Sequence, residues 1–263
     1  MGLRIVQVDA FTDTPFRGNP AAVCFLPEAR APRFMQDVAR EMNLAETAFL
    51  AARADGAYDL RWFTPAVEVA LCGHATLASA HALWEEGLLA REQPARFHTK
   101  SGLLTCVSKG AWIEMDFPAK LEEPATPPDE LGPALGVTMK YVGKNQLDYL
   151  VEVDSEDTLR ALTPDHTRLR RLPVRGVIVT SLSATPAYDF VSRFFAPGSG
   201  IDEDPVTGSS HCALAPFWGA RLGKREMTAY QASARGGVVK VSVRGARVGL
   251  AGQAVTVLRG ELV

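Results

Sequence analysis

Hydrophobic and polar positions along this chain fall into short runs of two kinds. The segments 3–8 (LRIVQV), 47–51 (TAFLA) and 111–117 (AWIEMDF) are rich in β-branched and aromatic residues and predict strands. The segments 33–43 (RFMQDVAREMN) and 75–86 (ATLASAHALWEE) carry apolar residues at helical spacing among good helix formers. The second of them stops at Gly87. Between 118 and 133 the chain reads PAKLEEPATPPDELGP, with five prolines and few apolar residues between them. Such a stretch suits neither a central strand nor a long helix and predicts a linker. It divides the chain into half-domains 1–118 and 119–263, with the last strand able to pack back on the first half.

The pattern repeats across that linker. The run ETAFLA from Glu46 matches GVIVTS from Gly176, AYDL-RWFTP at 57–65 matches AYDFVSRFFAP at 187–197, and EVALCGHATLASAHALW at 68–84 matches EDPVTGSSHCALAPFW at 203–218. Three matches in the same order predict two similar α/β halves, related by a pseudo-twofold axis, with a cleft between them. Each third segment places a glycine, Gly73 or Gly208, at the start of an alanine-rich helix. A helix N-terminus presents unpaired N–H groups and a partial positive charge, so it suits a carboxylate or phosphate. His74 and Thr76 in one copy, and Ser209 and Ser210 in the other, add side-chain donors. Plain helix capping explains the Ser and Thr residues equally well, but it does not require equivalent sites in both halves.

The differences between the copies suggest chemistry. Glu46 faces Gly176 in the alignment, and Asp204 faces Val69, so each half contributes one unmatched acid. Titratable groups in unlike environments are a common way to divide general acid and general base roles. A helix-end or surface carboxylate is the plain alternative for Glu46.

Composition narrows the classes. The 263 residues are 47% hydrophobic and 22% charged, with a net charge of −2, which gives no electrostatic support for a nucleic-acid or anionic-membrane partner. Cys24, Cys72, Cys106 and Cys212 are scattered without a CxxC pair, which argues against a zinc site and for reduced cytosolic thiols. The N-terminus lacks a signal-peptide core and no apolar run approaches bilayer-spanning length, so a cytoplasmic protein is expected. A phosphate loop with Lys, a nucleophile elbow and a metal-ligand cluster are all missing from the sequence.

The segments VDAFTDTPFRGNPAAV, NLAETAFL, RWFTPAVEVALCGHATLASAHAL and DEDPVTGSSH, with GQAVTVLRGEL near the end, together resemble the phenazine-biosynthesis-type (PhzF-like) proteins. The resemblance implies a diaminopimelate epimerase-like fold: two similar domains, each a curled, mostly antiparallel sheet around a central helix. It also implies a cofactor-independent isomerase acting on a small carboxylate-bearing substrate, commonly as a homodimer. Carried over residue by residue, Glu46 becomes the proton-carrying group, with His74 and Asp204 as its catalytic companions. Asn19, Gly73, Gly208 and Ser209 become substrate-binding residues. The family often has Ser before the catalytic Glu, where this chain has Ala45, so the phenazine-pathway substrate itself is not expected. Diaminopimelate epimerase uses two opposed cysteines, but here Cys72 precedes Gly73 while Thr207 precedes Gly208. An amino-acid epimerase is therefore the second reading, and a non-catalytic small-molecule-binding protein on the same scaffold the third.

Overall fold

The computed structural model describes residues 2–263, which form two compact units. One runs to Asp116 and regains Ala251–Val263; the other is Phe117–Leu250.

In the first unit β1 (Leu3–Ala10) pairs antiparallel with β2 (Asn19–Leu26), and β2 runs parallel to β3 (Glu46–Ala52) after the crossover helix α1 (Pro32–Met42). β3 pairs antiparallel with β4 (Tyr58–Phe63), which pairs with the short β5 (Glu68–Val69). Helix α2 (Gly73–Glu85) then leads to β6 (Ala95–Thr99), parallel to β4, and on to β7 (Gly102–Lys109) and β8 (Trp112–Pro118). The glycine of the GNP segment has a backbone reason. Gly18 lies at φ +65°, and a Cβ there would sit 2.1 Å from the Ala10 carbonyl oxygen, so only glycine closes the loop that delivers Asn19 to β2.

The second unit opens with β9 (Glu123–Pro124), α3 (Leu131–Leu135) and β10 (Tyr141–Lys144), and then repeats the same plan. β10 is antiparallel to β11 (Asp148–Glu152), which is parallel to β12 (Gly176–Leu182) after the short helices α4 (Glu156–Arg160) and α5 (His166–Leu169). β12 is antiparallel to β13 (Phe190–Phe195), and helix α6 (Gly208–Leu222) leads to β14 (Glu226–Gln231), parallel to β13. β15 (Gly237–Arg244) pairs with β14, and β16 (Arg247–Gly252) and β17 (Ala254–Leu262) follow. The repeat reaches residue register: Thr47 pairs with Phe63 in the first unit, and Val177 with Phe195 in the second.

Each unit is built around one helix. In α2 the residues His74 to Ala80, Ala82 and Leu83 are all buried, so the helix lacks a solvent stripe and sits inside its unit against β1, β2, β3, β7 and β17. Its alanines, Ser79 and Thr76 let the strands approach closely. On the other sheet face, Met35 and Ala39 of α1 cover Leu3, Ile5, Cys24, Phe49 and Phe63. In α6 the larger Trp218 fills the equivalent space, stacked on Phe190 at 5.9 Å between ring centroids.

The proline-rich stretch differs from the expected free linker. β9 pairs with β10 and α3 begins within the stretch, so it belongs to the second unit from Phe117 onward. β17 pairs with β1 along its whole length, from Leu3↔Leu262 to Ala10↔Ala254, which returns the C-terminal segment to the first unit. Among the described residues no helix is long and apolar enough to cross a membrane.

Candidate active site

In the first unit, the parallel β2–β3 pairing puts Glu46 opposite Ala21, two residues along from the buried Asn19. Glu46 opens β3 and is only 9% exposed. Gly73 and His74 form the first turn of α2, behind a Cys72 N-cap whose side chain makes no cap hydrogen bond. That helix end is tied instead by Thr76, whose Oγ1 donates to the Cys72 carbonyl oxygen at 2.5 Å.

The β3 start and the α2 start meet. His74 Nε2 lies 3.2 Å from Glu46 Oε2, and His74 Nδ1 lies 3.5 Å from Cys72 Sγ. The Nε2 contact is within ion-pair distance but off hydrogen-bond alignment. Burial pushes the His74 imidazole down to about 3, so at neutral pH it is uncharged and carries one N–H. The imidazole thus stands between a thiol and a carboxylate. One Glu46 oxygen, one His74 nitrogen and Cys72 Sγ lie within 4.8 Å of one another, the ligand types a divalent metal ion takes. These three groups come from β3 and the α2 start, a combination that cysteine spacing does not reveal.

In the second unit Asp204, Gly208 and Ser209 come together at the α6 start. Thr207, the N-cap, turns its hydroxyl to Asp204 Oδ2 at 2.5 Å. Gln231 of β14 ties this turn down: its Nε2 donates to the Asp204 carbonyl oxygen at 2.7 Å, and its Oε1 accepts from the Thr207 N–H at 2.9 Å. Ser209 Oγ accepts from Arg175 Nη1 at 2.8 Å. Arg175 is itself held by the fully buried Asp148, with Nε to Oδ1 at 2.9 Å and Nη2 to Oδ2 at 2.5 Å. Because Ser209 accepts from a guanidinium, its own O–H is left to donate elsewhere.

The sequence-derived residues therefore gather in two groups: in the first unit Gly73 and His74 at the α2 start with Glu46 at the start of β3 and Asn19 at the start of the neighbouring β2, and in the second unit Asp204, Gly208 and Ser209 around the α6 start. Sequence reasoning missed Arg175, Asp148 and Gln231. One signal was present: Arg175 precedes Gly176 in the repeat position that Ala45 takes before Glu46, an unusual place for a charge entering an apolar strand.

Residues 8–260 match the family described as phenazine biosynthesis-like protein, PhzC–PhzF. An isomerase of Halalkalibacterium halodurans, itself named as uncharacterized, is 56% identical over 262 residues, covering 98% of both chains. The crystal structure of a PhzF-family phenazine biosynthesis protein from Enterococcus faecalis superposes with a TM-score of 0.95 at 40% identity, covering 100% of both chains. A probable proline racemase from Agrobacterium radiobacter, at 13% identity and TM-score 0.67 over 99% of this chain and 93% of its own, shares the fold. Two units of one repeated plan, each around a buried helix, are the epimerase-like fold that the resemblance implied, and with near-complete coverage by the family match they make this chain a member of the phenazine biosynthesis-like (PhzF) family.

Proposed function

We propose that this protein is an isomerase that moves a proton on a small carboxylate-bearing substrate, with Glu46 as the acid and base. One observation carries the reading: the nearly buried Glu46 carboxylate lies 3.2 Å from a buried imidazole at the N-terminus of the central helix. A base next to an acidic carbon needs a nearby donor for the charge that develops elsewhere, and a neutral His74 supplies an N–H without competing for the proton. In the first unit the helix start at Gly73, with Asn19 on the neighbouring strand, would receive a substrate carboxylate, and in the second unit the helix start at Gly208, with the donating hydroxyl of Ser209, offers the equivalent donors. Asp204, braced by Thr207 and Gln231, would position substrate or relay the proton. Because Glu46 returns the proton it takes, the chemistry calls for no cofactor. An amino-acid epimerase with two opposed thiols is disfavoured, since Thr207 stands where the second thiol would be.

The test is turnover of a panel of small cyclic and linear carboxylates in D₂O. Product should gain deuterium at the carbon that receives the proton. Glu46→Gln keeps size and polarity but removes basicity, so turnover should fall about 100-fold or more while binding persists. His74→Ala should weaken binding and slow turnover together. Normal turnover by Glu46→Gln would show that another group carries the proton.

A further inference from the structure

The mechanism above uses Glu46 and His74 but leaves Cys72 idle, although its sulfur lies 3.5 Å from the His74 ring. The convergence of carboxylate, imidazole and thiol has a second chemical consequence. We propose that Glu46, His74 and Cys72 form a site for a thiophilic divalent cation, Zn²⁺ in the first instance, whose occupancy switches the enzyme off by capturing its base.

Three observations support the site. The donor set is one carboxylate, one imidazole and one thiol, a combination suited to zinc rather than to magnesium or calcium. The three donor atoms already lie within 4.8 Å of one another. Tetrahedral zinc with bonds of about 2.0–2.3 Å holds its ligand atoms about 3.4–3.8 Å apart, so closing on an ion takes about 1 Å of movement from a turn of the His74 ring and of the Glu46 side chain. Finally, the buried His74 Nε2 has no aligned hydrogen bond in the protein, so binding an ion there does not break one. The donors sit at a helix start flanked by the exposed Leu71 and the half-buried Gly73, which leaves a way in for a small ion.

The helix macrodipole opposes a cation at this end of α2, but the same field favours the Cys72 thiolate, which is the form that binds metal. Binding is a ligand exchange without redox: the Cys72 S–H bond breaks, a sulfur–zinc bond forms, and the proton leaves to solvent. Three protein ligands leave a fourth position to water. Two of the three are the groups that the proposed isomerase chemistry uses, so a bound ion and a working base exclude each other.

The inhibitory consequence rests on the isomerase reading, whereas the metal site does not, and the experiment separates them. The metal-free full-length protein is titrated with Co²⁺ as a spectroscopic probe and then with Zn²⁺ in competition with a chromophoric chelator. The expected result is one ion per chain, a thiolate-to-cobalt charge-transfer band, and about one proton released per ion. Cys72→Ser and Cys72→Ala should abolish the band, and His74→Ala and Glu46→Gln should each weaken binding at least about 10-fold. Cys212→Ala, in the other unit, should leave the band intact. Circular dichroism confirms that each variant is folded, and the wild-type band alone decides the matter if one is not. Absence of stoichiometric uptake at micromolar metal, or a band that survives Cys72→Ala, overturns the site. With a turned-over substrate, Zn²⁺ should stop the wild-type reaction and a chelator restore it. Binding without inhibition overturns the switch, while normal turnover by Glu46→Gln overturns Glu46 as the proton carrier and leaves the metal site standing.

Discussion

Replacing His211 by phenylalanine should make the second unit less sensitive to acid at little cost near neutrality. His211 lies in the first turn of α6 with no solvent exposure, its ring 6.2 Å from that of Phe190. Nδ1 is 2.8 Å from the Thr207 carbonyl oxygen, and Nε2 has no partner. Burial is the main cause that lowers this imidazole to about 4, from an ordinary 6.5. The unfolded chain therefore binds a proton between about pH 6.5 and 4 that the folded chain refuses, and stability falls as pH drops through that window. At pH 4.5 the difference amounts to about 2–3 kcal/mol, and at pH 7 to about 0.2 kcal/mol. Phenylalanine removes the linkage. It also removes one hydrogen bond, worth about 1 kcal/mol net. The Thr207 carbonyl stays satisfied, because Ser210 Oγ donates to it at 2.8 Å. Wild type should thus be slightly the more stable at pH 7, and His211→Phe the more stable by about 1–2 kcal/mol at pH 4.5. Urea unfolding at both pH values, followed by tryptophan fluorescence, to which Trp218 in the same core contributes, measures the difference. Equal losses of stability between pH 7 and 4.5 in the two proteins would refute the argument.

Arg175→Met should strand the fully buried Asp148 carboxylate and cost about 3 kcal/mol, whereas the double variant with Asp148→Asn should cost less than the sum of the singles in a denaturation cycle. Glu68 is held down to about 2, chiefly by its paired hydrogen bonds from Arg61 and further by Lys100. Its contribution is present above about pH 4.5 and lost as pH falls toward 2, so Glu68→Gln should cost about 1 kcal/mol at pH 7 and nothing at pH 2 by thermal melts. Burial pushes the Cys24 thiol up to about 11 and the Cys106 thiol higher still, so neither should react with a disulfide reagent at pH 8 until denaturant is added. Rapid labelling of either in the native protein would contradict that packing.

Local pattern made much of this protein legible. The β-branched runs and the alanine-rich stretches locate β1, β3, β8, α1 and α2 to within a residue or two, because side-chain period and helix stops are local properties. The repeat foretold the shared plan of the two units, since the same apolar spacing buries the same faces. Glu46 and Asp204 were visible as departures from that repeat, and His74 by its place directly after the helix-start glycine.

What lay outside the sequence pattern depends on groups brought together from afar. The proline-rich stretch reads as a linker, yet β9 is captured by β10, because backbone N–H and C=O groups pair wherever a partner strand is in register. Arg175 meets Asp148 across 27 positions and Ser209 across 34, contacts with no period to betray them. Cys72 was visible as a residue but not as a neighbour of an imidazole. The local sequence sets Cys72 two positions before His74, and only the helix start after an extended N-cap turns the sulfur toward Nδ1 while the β2–β3 pairing brings Glu46 to the other ring nitrogen. Residue types and their order settled which chemical groups this protein owns. Tertiary structure settled which of them touch, because side-chain contact depends on strand register and on the direction each side chain leaves the backbone, and neither is a property of neighbouring residues alone.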